Sequence, residues 1–69
     1  MKYIICAVRD LKAGYYMDMF QVQREVEAER MFIMAVKNGK GPLGQYPNDF
    51  RVEKIGEWDN ENGVLKNVK

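Results

Sequence analysis

Apolar and polar positions alternate with different periods along this chain, and the changes of period divide it into elements. Residues 3–8, YIICAV, form an unbroken apolar run rich in branched side chains and too short for a helix of ordinary length. Such a run predicts a strand covered on both faces, placed centrally in a sheet. Residues 15–22, YYMDMFQV, carry aromatic residues and one charge, Asp18, and read as a second strand returning along the first. Residues 24–38, REVEAERMFIMAVKN, hold strong helix formers, no Gly or Pro, acidic residues early, Lys37 late, and Gly39 just beyond. That combination predicts an α-helix with its stop. At 3.6 residues per turn Ala28, Phe32 and Ala35 share a stripe bordered by Met31 and Val36, which is expected to pack on the sheet, while Val26, Arg30, Ile33 and Lys37 lie roughly opposite. Residues 38–47, NGKGPLGQYP, read as a loop of about ten residues. Residues 49–58, DFRVEKIGEW, alternate as a third strand in which Gly56 marks a bulge or a close backbone approach. VLKNV at residues 64–68 gives a short fourth strand. The expected fold class is α+β: a four-stranded antiparallel sheet with one helix packed on one face, in the order strand-strand-helix-strand-strand, as a single domain over residues 1–69.

Two of the connections share a skeleton. VRDLKAGYY and EWDNENGVL each place an Asp, three residues, and a Gly between expected strands. A tight hairpin built on a type I turn needs Gly at its left-handed end, and Asp at its start accepts hydrogen bonds from amides two or three residues on. A calcium loop is excluded for DNENG, because Gly63 is the fifth residue counted from Asp59 as the first, where the EF-hand pattern requires a sixth-position Gly and a later bidentate Glu. Nothing beyond the turns matches, so an internal duplication is not supported.

Composition narrows the chemistry. The chain has 69 residues, one Cys and no His. A disulfide framework, a Ser-His-Asp or Cys-His nucleophile and the usual zinc shells are therefore out of reach, and Cys6 reads as a small buried hydrophobe of a reducing compartment. GKGPLG lacks the Gly-Lys-[Ser/Thr] ending of a phosphate loop. Glu25, Glu27 and Glu29 share the helix with Arg24 and Arg30 and read as its solvated side. No enzyme, no cofactor and no metal site is expected. No segment approaches the roughly 18 apolar residues of a membrane span, and the first ten residues lack the features of a secretory signal, so a cytoplasmic protein is expected. Eleven basic against ten acidic residues leave almost no net charge, and attraction to nucleic acid would need a local patch.

A chain of this size buries only about 60% of the surface its unfolded form exposes, and one helix covers one sheet face. Something is expected to cover the other. One candidate is a second copy of the chain. The other is a single strand whose unpaired bases stack on Tyr3, Tyr15, Tyr16 and Trp58, with Arg9, Lys12, Arg51 and Lys54 near them in sequence and Lys37 and Lys40 assisting from the loop region. Aromatic residues also occur in strands for packing alone. Val26, Ile33 and Met34 on the helix are candidates for a protein contact surface.

AVRDLKAGYY, AERMFIMAV and YPNDFRVEKIGEWDNENGVL, taken in order, resemble the small nonstructural protein of gokushovirus-type microviruses, tailless bacteriophages with single-stranded DNA genomes. The positions that carry the likeness are Arg9, Asp10, Lys12 and Gly14; then Ala28, Arg30, Phe32, Ala35 and Val36; then Pro47, Asp49, Phe50, Ile55, Gly56, Glu57, Trp58, Asp59 and Gly63. Met31, Ile33 and Met34 depart from it, being apolar where that family is mostly polar, and NGKGPLG is richer in Gly than usual. The resemblance implies a DNA-binding accessory protein of the host bacterial cytoplasm, active when the phage turns from copying duplex DNA to making and packaging single-stranded genomes. Together these readings give a homodimer that binds single-stranded DNA with little sequence preference through Arg9, Lys12, Tyr15, Lys37, Lys40, Arg51, Lys54 and Trp58. The alternative is a module that docks on a phage replication or capsid protein through Val26, Ile33 and Met34 and touches no DNA.

Overall fold

The computed structural model describes residues 1–39 and 41–68. Strands β1 (Lys2–Asp10), β2 (Tyr15–Val22), β3 (Phe50–Asp59) and β4 (Val64–Asn67) form one sheet in the order β2-β1-β3-β4 with every neighbour antiparallel. Helix α1 (Glu25–Lys37) connects β2 to β3 and lies across one face. The long apolar run is central, as its pattern predicts, and the order of elements is the one the periods give.

Both turns form as the Asp and Gly positions require. In the first, Lys12 and Ala13 N–H donate to Asp10 Oδ1 at 3.1 and 2.9 Å, and Gly14 takes φ +80°. In the second, Glu61 and Asn62 N–H donate to Asp59 Oδ1 at 3.0 and 3.4 Å, and Gly63 takes φ +65°. The Asn62 side-chain amide, 2.9 Å from Asp59 Oδ2, joins them in holding the Asp59 carboxyl below its ordinary pKa. Gly56 shows both features expected of it. Pairing of β1 with β3 slips between Ile5 and Cys6, which leaves Ile55 as an extra residue, and a Cβ at position 56 would stand 2.7 Å from the Lys66 carbonyl oxygen on β4.

The core under α1 is small. Cys6, Val22 and Ala28 are buried, with Ile4, Phe20 and Val52 packed against them, and Phe50 is buried apart from this cluster, where β3 begins opposite Asp10. Burial pushes the Cys6 thiol pKa up, Glu25 adds to this, and Lys54 opposes it. The helix meets the sheet through Ala28, Phe32 and Val36, a row spaced four apart; Ala35 and Met31, expected in or beside the packed stripe, are exposed. The helix is rolled toward the Val36 side, and its first turn meets β3 through Lys54 Nζ, which lies 3.5 Å from Glu25 Oε1 and 3.5 Å from Glu57 Oε1. At its start the Glu27 carboxylate accepts the Gln23 N–H at 3.1 Å, which satisfies a donor ahead of the first turn.

The segment expected as a loop is more ordered than its composition suggests. Helix α2 (Gly41–Gln45) makes one turn, closed by Tyr46 N–H on Pro42 O at 2.8 Å, and a 3-10 turn follows at Pro47–Asp49. Proline is tolerated in a first helical turn because its missing N–H has no partner there. Gly44 sits so close to the Gly39 backbone that no Cβ fits at position 44, and Gly39 itself takes φ +65°. The Asp49 carbonyl accepts Leu11 N–H at 2.8 Å and anchors the segment to the β1–β2 turn.

Candidate nucleic-acid interface

Strand pairing assigns side chains to the face that α1 leaves open. Tyr3 pairs with Trp58, Ile5 with Gly56, Ala7 with Glu53 and Met19, and Arg9 with Arg51 and Tyr16, while Leu65 stands beside Trp58 on β4. Small residues in the middle and long ones on the outer strands make this face a trough. Ala7 is fully buried at its floor beside Gly56, and Met19 and Leu65, 66% and 65% exposed, form its walls on β2 and β4. The depression between them is about 540 Å³ and is lined further by Ile5, Tyr16 and Ile55.

The two ends of the trough differ. At the β1–β2 turn end the Arg9 guanidinium lies 4.8 Å from the Tyr16 ring centroid, within the range of cation–π attraction. Tyr16 Oη donates to Glu53 Oε1 at 2.8 Å, and Arg51 Nε donates to Glu53 Oε2 at 2.5 Å. Glu53 thus holds a ring and a guanidinium in place from one carboxylate, and the Arg51 side chain stays 63% exposed. The other end carries the Tyr3–Trp58 pair beside Leu65. Tyr3 and Arg9 stand six positions apart on β1, a span of about 20 Å at strand rise. Two arginines against one carboxylate leave the open face net positive.

The sequence-predicted residues divide between the two sides. Arg9 and Arg51 come together on the open face, Trp58 shares that face at its other end, and Lys12 sits exposed in the turn at the cationic end. Tyr15 does not join them: paired with Asp10, it lies on the helix side, along an edge depression with Val8, Asp18 and Phe20 that Tyr16 and Met17 also border. The pairing slips between Ala7 and Arg9, where β2 spends one more residue than β1, and this extra residue brings Tyr16 rather than Tyr15 onto the open face. Lys54 also lies on the helix side, between Glu25 and Glu57. Lys37 ends α1 on that side, beside Leu11 and Phe50, and Lys40 lies outside the described residues. Val26, Ile33 and Met34 are exposed on α1, Ile33 at the rim of the depression that Leu11, Phe32, Val36 and Phe50 line. Glu53 was missed by sequence reasoning, since one carboxylate in an alternating strand gives no signal of its neighbours.

The arrangement is that of a small α+β protein with an open-faced sheet. The chain belongs to the Phage ORF5 protein family, whose profile matches residues 3–69, and is thereby a bacteriophage protein. No curated protein and no solved structure matches the chain. No helix among the described residues is long and apolar enough to cross a membrane.

Proposed function

We propose that this phage protein binds single-stranded DNA in the trough of its open sheet face, with little sequence preference, as an accessory protein of genome synthesis or packaging of the gokushovirus nonstructural type. The observation that carries the reading is the Arg9–Tyr16–Glu53–Arg51 constellation facing away from the helix, with Tyr3 and Trp58 at the opposite end of the same face. Rings accept the faces of any base, which makes stacking tolerant of sequence, and each stacked base contributes about 1–3 kcal/mol. Arg9, Arg51 and Lys12 meet phosphates at one end, while the middle of the trough offers an apolar floor to bases. The 20 Å between the ends matches roughly six stacked nucleotides at 3.4 Å each.

The charge pattern sets the salt dependence. Three phosphate contacts give a slope of log affinity against log salt near about −2, at roughly −0.7 per phosphate on a single strand. A fluorescence titration with labelled oligonucleotides of increasing length, at two salt concentrations, tests the reading. Quenching of Trp58, the shallow slope and a gain in affinity up to about six nucleotides are expected. No binding at micromolar protein would refute it and favour a module that docks on a phage replication or capsid protein.

A further inference from the structure

The outer side of α1 is apolar where a helix over a small sheet is ordinarily polar. Val26, Met31, Ile33 and Met34 are 45%, 49%, 50% and 63% exposed, four large apolar side chains on one helix of 13 residues. Along this side Val26, Arg30, Ile33 and Lys37 follow one another at intervals of four, three and four residues, the spacing of a seam between two helices. Apolar and basic residues alternate in that seam. Charge is also graded along the helix: residues 24–29 hold Arg24 against Glu25, Glu27 and Glu29, whereas residues 30–37 hold Arg30 and Lys37 and no carboxylate.

We propose that two copies of this chain associate through these outer faces, with their α1 helices antiparallel about a twofold axis. The charge gradient selects the occupant and its direction. A helix acidic in its first half and basic in its second complements an antiparallel copy of itself, while a parallel copy would set Arg30 and Lys37 against their own equivalents. In the antiparallel pair Arg30 stands opposite the partner's Ile33 and Lys37 opposite the partner's Val26. The aliphatic stems of the basic residues cover those apolar groups, and their charged heads reach the acidic half of the other helix. Met34 borders the seam with a side chain that adapts its shape. A helix of 13 residues is about 20 Å long, so the contact is a small one, below about 1,200 Å² in total, and belongs to the weaker class of associations. The open sheet faces point outward from such a pair, and association does not depend on the DNA reading.

Sedimentation equilibrium of the full chain, from low micromolar to several hundred micromolar, tests this. A concentration-dependent dimer is expected, and Ile33→Glu should weaken it by about tenfold or more by placing a charge in the seam, with circular dichroism confirming that the variant stays folded. Glu29→Lys and Lys37→Glu should each weaken self-association several-fold, whereas an equimolar mixture of the two should associate as the parent does, because each mixed pair restores both attractions. A monomer at every concentration would overturn the proposal. So would a dimer indifferent to Ile33→Glu but abolished by Leu65→Asp, since the second copy would then cover the sheet face. Oligonucleotide affinity of the Ile33→Glu monomer, measured separately, reports on the trough alone and keeps the two readings distinguishable.

Discussion

The two sides of the sheet are built from the same four strands and use their side chains differently. On the helix side Cys6, Val22 and Ala28 are at most 6% exposed, and charged residues are held in pairs, Lys54 with Glu25 and Glu57. On the open side apolar groups as large as Met19 and Leu65 remain two-thirds exposed around a floor of Ala7 and Gly56. The buried packing therefore lies mainly on the covered side, and the open side leaves large apolar groups in solvent. The helix repeats the contrast on a smaller scale, since its inner row packs and its outer row leaves four large apolar residues in solvent.

Substitutions that act on one side only give the strongest test of this division. The largest effect is expected at the seam shared by both. Gly56→Val puts a branched side chain where even a Cβ would meet the Lys66 carbonyl at 2.7 Å, so β4 must leave its place. Denaturant unfolding should show a loss of about 3 kcal/mol or more. Next comes the direct contrast. Val22→Ala removes buried volume beneath α1 and should cost about 1–3 kcal/mol, whereas Met19→Ala on the open wall should change stability by less than about 0.5 kcal/mol. Equal costs would mean that the open face is covered in the protein's working state.

A smaller effect is expected at Lys54, whose two ion pairs at 3.5 Å are partly exposed. Lys54→Ala should cost about 0.5–1 kcal/mol and leave oligonucleotide affinity unchanged, because the ammonium faces the helix. Smallest is the acid response of the second turn. Asp59 has its pKa lowered by the Asn62 side chain, then by the Glu61 and Asn62 amides, so the folded chain binds its proton less readily than the unfolded one. The contribution of this turn is complete above the ordinary Asp pKa of about 3.9 and is lost as pH falls through the lowered folded value. Asp59→Asn should flatten the stability profile below about pH 4, and an unchanged profile would remove Asp59 from the account.

Much of this was legible in local pattern. The two Asp-x-x-x-Gly turns, the stop after Lys37 and the bulge with close approach at Gly56 each follow from the chemistry of a few adjacent residues. What escaped depends on contacts between distant residues. Tyr15 and Tyr16 exchange sides because β2 carries one extra residue against β1, and a period of two cannot reveal where a slip occurs. Lys54 reads as one more cation near aromatic neighbours until its register with Cys6 turns it toward Glu25. Ala35 and Met31 stay exposed because the row that packs on the sheet is Ala28, Phe32 and Val36, and which of two adjoining rows packs depends on the sheet beneath the helix. Pro42 and the Gly residues around it read as a loop, and the tight approach of Gly44 to Gly39 lets them close a turn of helix.

By itself the sequence determined the elements, their order and their turns, since these rest on backbone preferences and on hydrogen bonds that span at most a few residues. Only the tertiary structure decided which rings and cations share a face, because that depends on the register of strands far apart in the chain, where a single extra residue moves every later side chain to the opposite side.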